Sequence, residues 1–144
     1  MSKRKITRKS PSRRPGMYEK AGTTGQRKAR VPKAGATKTP GLMNKTEEWY
    51  AYQVLQPKLQ SGEILKWMYE AITLRLAKSL TYTPDFYVVT KDGIVELHET
   101  KGSWSARGQQ TSRAKIKMAS ELYPEFDIRV LMIKNRTIVS EERL

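Results

Sequence analysis

Hydrophobic residues first recur at helical spacing in the segment that begins at Asn44. The positions of this apolar stripe are Ala51, Val54, Leu55 and Leu59. Asn44 and Glu47 are three residues apart, which is the spacing of a capping box at the start of a helix. The pattern predicts a helix that begins after Asn44, that Pro57 kinks or ends, and that Gly62 closes.

The middle of the chain changes to the alternation that is typical of strands. Residues 63–77 alternate in part, and we interpret them as a strand, although their Leu, Ala and Lys content also permits a helix. Residues 82–89 and 94–100 are rich in β-branched and aromatic side chains and flank Lys91-Asp92-Gly93, which predicts a hairpin.

The end of the chain returns to helical spacing and then alternates again. Ile116 and Ala119, followed by Leu122 or Tyr123, predict a second helix over residues 112–123, and Pro124 stops it. Residues 126–133 carry apolar side chains at both alternating sets of positions, as in a strand buried on much of both faces. The predicted class is therefore α/β, in the order αβββαβ, within one domain over residues 43–144.

The segment before this domain, residues 1–42, is an arm with a different composition. It is rich in Lys, Arg, Gly, Pro, Ser and Thr and has almost no large aliphatic residues, so it cannot bury enough surface to offset the entropy lost on ordering. We expect it to be disordered until it binds a partner.

The charge of the chain lies almost entirely in this arm. Thirteen of the 28 Lys and Arg residues fall in residues 1–40 beside a single acid, Glu19, so the segment carries +12 of the formal net charge of +14. Each cation that neutralises a phosphate releases counterions, which makes nucleic acid the natural partner. An acidic membrane surface is the weaker alternative, because the arm shows no amphipathic periodicity. Candidate phosphate contacts in the arm are Arg13, Arg14, Arg27 and Lys28.

Composition also limits the chemistry. With no Cys and a single His, a zinc site of thiolates or clustered imidazoles is excluded, so any metal must be held by oxygen. No stretch is long and apolar enough to span a bilayer, and no apolar signal-peptide core follows the basic start. We expect a cytoplasmic location, although a basic, acid-poor start also resembles an organelle transit peptide.

Two acids and a lysine mark the predicted hairpin. Asp85 opens one strand, and Glu99 and Lys101 close its partner, where their spacing of two residues places them on one face. A two-residue turn would place Asp85 opposite Thr100, with the acids on opposite faces. A three-residue loop with Gly93 left-handed places Asp85 opposite Glu99, and the site then assembles.

These residues suit a divalent cation. The two carboxylates are hard oxygen ligands for Mg²⁺ or Mn²⁺, and the backbone carbonyl of Thr100 is a further candidate ligand. Such a metal polarises a phosphodiester and activates water, while Lys101 orients that water or stabilises the charge that develops on phosphorus.

Pro84-Asp85 with Glu99-Thr100-Lys101 resembles the PD-(D/E)XK signature of the restriction-endonuclease-like nucleases. Over about residues 43–133, the chain is also similar to a small phage and prophage family of that superfamily. The resembling runs are Asn44-Lys45-Thr46-Glu47, Gly62-Glu63-Ile64, Leu74-Arg75-Leu76-Ala77, Tyr82-Thr83-Pro84-Asp85-Phe86, His98-Glu99-Thr100-Lys101-Gly102 and Ala119-Ser120-Glu121-Leu122-Tyr123-Pro124. The resemblance implies a mixed central sheet flanked by helices, Mg²⁺ or Mn²⁺, DNA as substrate and phosphodiester hydrolysis.

The resemblance also implies a third acid from the first helix. Glu47 is the matching residue, and Glu48 is its neighbour; the two flank the apolar stripe about equally, so periodicity does not choose between them. We favour Glu47 as a catalytic residue and metal ligand. The alternative is that Glu47 only completes the capping box.

Further candidates for nucleic-acid contact lie after the hairpin. On the second helix they are Lys115, Arg113 and Lys117, of which Lys115 is closest in phase to the apolar positions; a solvated helix face is the alternative. In the Gly- and Ser-containing loop they are Trp104, which either stacks on a nucleotide or anchors the loop, and Arg107. His98 is expected on the face opposite Asp85, at the surface or half-buried.

Two functions are consistent with these features. The first is a metal-dependent DNA endonuclease, selective for branched or phage DNA structures. A homodimer is the expected assembly of such an enzyme, because two cuts require two sites. The alternative is a non-catalytic DNA- or RNA-binding protein, for which a basic arm on a small domain is ordinary. The acids of the hairpin distinguish the two.

Overall fold

A computed structural model describes residues 41–104 and 109–144. Most of the predicted arm therefore lies outside the described residues. So do five of the predicted nucleic-acid contacts, which are Arg13, Arg14, Arg27, Lys28 and Arg107. Gly41, placed in the arm by its sequence, donates its backbone N–H to the Glu70 carboxylate at 3.0 Å, so the described chain meets the domain two residues before the predicted boundary.

The first helix begins as its sequence predicts. Helix α1, Lys45–Tyr50, is capped by the Asn44 side chain, which accepts from the backbone N–H groups of Thr46 and Glu47. Glu47 returns the contact by accepting from the Asn44 N–H at 2.9 Å, so the capping box is confirmed.

The helix does not end at Pro57, so of the two predicted outcomes, a kink or an end, the end was wrong. A π-helical segment, Ala51–Leu55, continues α1 directly into helix α2, Gln56–Ser61, which has Pro57 near its start. A π turn has backbone hydrogen bonds between residues five apart, whereas an α-helix has them between residues four apart. Such a turn allows a helix to continue where the α-helical hydrogen-bond ladder is interrupted. Gly62, with φ of 78°, ends the helix as predicted.

The sheet is mixed and has five strands in the order β1-β4-β5-β6-β7. Its strands are β1 Ile64–Tyr69, β4 Phe86–Thr90, β5 Val95–Lys101, β6 Asp127–Lys134 and β7 Thr137–Arg143. Helix α3, Gln109–Leu122, connects β5 to β6, which pair in parallel, and the other pairs are antiparallel. Two short strands, β2 Leu74–Ala77 and β3 Leu80–Tyr82, form a separate antiparallel pair.

Three strand predictions needed correction. The predicted strand over residues 63–77 is two strands, because the chain turns at Glu70, whose φ is 43°. The predicted strand over residues 82–89 is interrupted at Pro84, which has no N–H to donate to a ladder. Strand β7 was not predicted; every one of its residues is exposed, so it lacks the alternation that reveals a half-buried strand.

The hairpin of β4 and β5 has the predicted three-residue loop. Val89 pairs with Val95 and Phe86 with His98, and the same register places Asp85 opposite Glu99. The N–H of Thr90 donates to the Ile94 carbonyl at 2.9 Å, and Gly93 has φ of 81°. The condition for bringing the acids to one face is therefore met.

Each face of the sheet has its own core. The first packs under α1 and the π-helical segment and contains Tyr50, Ala51, Leu55, Ile64, Phe86, Val88, Leu131 and Ile133. The second packs under α3 and the β2-β3 pair and contains Leu74, Leu76, Tyr82, Leu97, Ile116, Ala119, Ile128 and Val130. Strand β6 contributes to both cores, so its predicted burial on two faces is confirmed. In the part of the chain described, no helix is long and apolar enough to cross a membrane.

Changing Gly93 to Ala tests the hairpin loop. An added Cβ meets no atom within 4 Å, so the expected loss of about 1 kcal/mol in unfolding free energy comes from the left-handed backbone alone. Urea denaturation measures it. Gly102→Ala is the matched control, because its Cβ also enters open space and its backbone is not left-handed. Equal stabilities of the two variants would contradict the assigned loop.

Candidate active site

Asp85, Glu99 and Lys101 lie together at one edge of the sheet. Asp85 directly precedes β4, and Glu99 and Lys101 are among the last three residues of β5. Because the two strands are antiparallel, the start of β4 and the end of β5 lie at the same end of the hairpin. Both carboxyl groups are buried, with 3% of Asp85 and 5% of Glu99 exposed, and Lys101 is half-buried. The three residues that the sequence assigned to one site are therefore neighbours.

Each carboxylate oxygen of Glu99 accepts a hydrogen bond. The Lys101 ammonium donates to Oε1 at 2.5 Å, and the Tyr82 hydroxyl donates to Oε2 at 3.0 Å. Burial, together with the charge of Glu99, raises the pKa of Tyr82 well above its usual range, so the hydroxyl keeps its proton and remains a donor. Glu99 is thus held from two sides.

Thr100 holds the other acid. Its backbone N–H and its hydroxyl both donate to Oδ2 of Asp85, at 2.8 and 2.9 Å. This contact orients Asp85 across the strand pair. Thr100 was predicted to offer its backbone carbonyl to a metal, and that role stays a prediction beside the positioning role that the contacts show.

The two buried carboxyl groups repel one another when both are ionised. Burial, and then the neighbouring charge of Asp85, raises the pKa of Glu99 to about 7, although Lys101 and the Tyr82 hydroxyl favour its charged form. A proton at Glu99 relieves this repulsion, and a divalent cation held by both carboxylates would also relieve it.

The donor set fits a hard divalent cation. Two carboxylates from neighbouring strands converge at an edge that also carries an ammonium group, which suits Mg²⁺ or Mn²⁺ better than a metal that prefers nitrogen or sulfur. Within residues 41–104 and 109–144, no three Asp, Glu or His side chains converge to form a larger metal cluster. In this structure Asp85 and Glu99 are therefore a two-carboxylate set.

Glu47 is held inside the domain by the capping box and by a tyrosine. Its Oε2 accepts from the Tyr69 hydroxyl at 2.6 Å as well as from the Asn44 N–H, and only 2% of Glu47 is exposed. Glu48 is exposed and lines the outer side of the helix. Of the two acids, Glu47 is the inward-facing one; its role as a ligand stays a prediction.

Tyr82 is a site residue that the sequence did not reveal. The sequence assigned it to the first strand of the hairpin. In one continuous strand, residues three positions apart such as Tyr82 and Asp85 point to opposite faces. In the structure it belongs to β3, and the separate β2-β3 pair carries its hydroxyl to Glu99. The available signal was a tyrosine three residues before Asp85, because a tyrosine that becomes buried usually needs a hydrogen-bond partner for its hydroxyl group.

The predicted nucleic-acid contacts after the hairpin are only partly brought together. The Arg113 guanidinium lies 5.2 Å from the centre of the Trp104 ring, and both residues line a cleft of about 200 Å³ with Lys117. Trp104 is half-buried and packs against the core beneath α3, which is the anchoring role. Lys115 is half-buried and does not line this cleft. Binding of nucleic acid by these side chains stays a prediction.

His98 lies on the face opposite Glu99, as predicted, but it is buried and not at the surface. Its Nδ1 pairs with the Tyr50 hydroxyl at 2.8 Å and its Nε2 with the Glu96 carboxylate at 2.9 Å. Glu96 is in turn paired with Arg129. These hydrogen bonds compensate for the loss of water around the buried imidazole. The strand alternation of the sequence could not predict these partners.

The chain was compared with models of protein families, with curated proteins and with solved structures, and none of them matched it.

The raised pKa of Glu99 predicts how metal-free stability depends on pH. The unfolded chain releases this proton near pH 4.5 and the folded chain near pH 7, so stability falls as the pH rises across that interval. Urea denaturation in EDTA over pH 4 to 8, on the wild type and Glu99→Gln, measures this decline.

The Gln variant cannot titrate at residue 99, so its stability should lack this decline. Glu121→Gln, at an exposed position of α3, is the matched control and should follow the wild type. Parallel stability curves for the wild type and Glu99→Gln would contradict the assignment of the titration to Glu99.

Proposed function

We propose that this chain is a metal-dependent DNA endonuclease that hydrolyses phosphodiester bonds, with Asp85, Glu99 and Lys101 as its catalytic residues. The observation that carries the proposal is their convergence at one edge of the sheet across a three-residue hairpin loop. Two buried carboxylates beside an ammonium group serve no packing need, since burying charge is costly.

The topology supports a restriction-endonuclease-like core. Elements α1, β1, β4, β5, α3 and β6 follow the order αβββαβ, with the β2-β3 pair inserted before β4 and β7 added at the edge. Pro84-Asp85 and Glu99-Thr100-Lys101 lie on the central hairpin, where that resemblance expects them.

The chain's own residues divide the work in this proposal. Asp85 and Glu99 would hold Mg²⁺ or Mn²⁺, with Glu47 and the Thr100 carbonyl as further candidates. Such an ion would supply Lewis-acid polarisation of the phosphodiester and would lower the pKa of a water molecule. Thr100 keeps Asp85 oriented through two hydrogen bonds, and Tyr82 does the same for Glu99. Lys101 places a positive charge beside the acids, where it stabilises negative charge that develops on the phosphate.

A non-catalytic DNA- or RNA-binding protein is the alternative. Its support is the +12 charge of residues 1–40 together with the Lys101–Glu99 ion pair, which can be read as a purely structural contact. For the nuclease the expected partner is DNA, in the cytoplasm of a bacterial host as the phage resemblance implies; for the alternative it is DNA or RNA. A homodimer is proposed only because two cuts require two sites.

Cutting assays on supercoiled plasmid and on branched DNA, with Mg²⁺, Mn²⁺ or EDTA, test the nuclease. The wild type should cut only with metal. Asp85→Asn and Lys101→Ala should each reduce the rate by about a hundredfold or more, because the first removes a metal ligand and the second removes the charge beside the reacting phosphate.

The matched controls are Asp92→Ala and Lys91→Ala, which remove one acid and one lysine from the hairpin loop at the opposite edge. Both should cut like the wild type. A wild-type protein that binds these DNAs and never cuts them with either metal would favour the non-catalytic alternative, as would full activity in Asp85→Asn.

Deleting residues 1–40 tests the predicted role of the arm. DNA affinity should fall and its dependence on salt should flatten, because fewer cations release counterions from the phosphates. Fluorescence anisotropy over a range of salt concentrations measures both. Thermal stabilisation by Mn²⁺ should be unchanged, since Asp85 and Glu99 remain. A salt dependence equal to that of the full chain would show that the arm binds something other than DNA.

A further inference from the structure

An open groove with aromatic and cationic sides lies on the outer side of the first helix. Its volume is about 620 Å³. Its lining residues are Lys45, Glu48, Trp49, Tyr52, Gln53 and Arg136. Tyr52 is 55% exposed and leans edge-on against Trp67, with 6.3 Å between the ring centres. None of the proposed catalytic residues lines this groove.

The groove opens at the same end of the sheet as the proposed active site. Strands β5 and β6 run in parallel, so the turn after β6, which carries Arg136, extends beyond the end of β5 that carries Lys101. The start of α1 is at this end too, because Glu47 contacts Tyr69 at the end of β1. A strand of nucleic acid at the site can therefore continue over this edge into the groove.

Arg136 has a left-handed backbone conformation, which is unfavourable for arginine. Lys134 pairs with Thr137, so Asn135 and Arg136 form a two-residue hairpin turn, and both are left-handed with φ of 48° and 56°. Glycine is the usual second residue of such a turn, because a side chain there adds strain. An arginine in its place puts a guanidinium on the groove at a cost in stability.

We propose that this groove binds a single-stranded segment of DNA, with bases stacked on Tyr52 and Trp49 and phosphates held by Lys45 and Arg136. Stacking on side chains needs open base faces, which an unpaired strand offers and a duplex hides. Two cations against the single acid Glu48 suit a phosphate backbone. The proposal rests on the proposed function and deepens it: the preferred substrate has an unpaired segment beside the bond that is cut.

Binding is tested apart from cutting, on the full chain in EDTA. Fluorescence anisotropy compares a labelled oligothymidylate with a duplex of equal length. Tyr52→Ala should bind the single strand about tenfold more weakly, because one stacking platform is lost. Tyr52→Phe keeps the ring and should bind like the wild type. Neither change should alter duplex affinity, which the arm dominates.

Arg136→Gly provides a second variant that separates binding from folding. It removes the guanidinium and also relieves the left-handed strain, so its Tm should rise while its affinity for the single strand falls. Lys91→Ala is the matched control for charge, at the opposite edge of the sheet, and its affinity should equal that of the wild type.

Wild-type affinity for the single strand in both Tyr52→Ala and Arg136→Gly would overturn the proposal. An equal loss for duplex and single strand would overturn it as well, because the groove would then not be selective. So would a wild-type dimer in sedimentation that Tyr52→Ala converts to a monomer, since a second copy would occupy the groove. If the groove variants behave as expected but the wild type never cuts DNA, only the proposed nuclease activity fails.

Discussion

The site depends on keeping two buried carboxylates, Asp85 and Glu99, side by side. Their repulsion is unfavourable, and the residues around them offset it: Lys101 and Tyr82 donate to Glu99, and Thr100 donates twice to Asp85. The three-residue loop that ends in Gly93 sets the register that makes these contacts. A loop shorter by one residue would turn one acid to the other face and leave its partners without an acceptor.

The sheet separates this acidic edge from a second polar network. On the face under α1, His98 is joined to Tyr50 and Glu96 in a buried chain of hydrogen bonds, so alternate residues of β5 serve different purposes. The separate β2-β3 pair belongs to the opposite face, where it brings Tyr82 to Glu99. This strand pair is thus part of the site, because without it Glu99 would lose one of its two donors.

Local patterns predicted the parts of the molecule that local physics determines. The capping box at Asn44, the left-handed Gly93 and the convergence of Asp85 with Glu99 follow from spacing and backbone geometry, and all three are present. What could not be predicted depends on contacts between distant segments. Tyr82 reaches Glu99 only through a strand pair outside the main sheet, and the burial of His98 depends on partners from other elements. Strand β7 is fully exposed and carries no periodic signal, and its turn lacks the usual glycine.

The arm and the groove would recognise DNA by different physics. Contacts from the arm are ionic and weaken steeply as salt rises, whereas stacking on Tyr52 and Trp49 depends on base faces and is far less sensitive to salt. In this proposal the arm would contribute most of the affinity for duplex DNA, and the groove's share of single-strand affinity would increase as salt rises. Selectivity for an unpaired segment should therefore grow with salt while total affinity falls. A protein that relied on its arm alone would lose affinity for both forms of DNA together, so this divergence identifies a contribution from the folded domain.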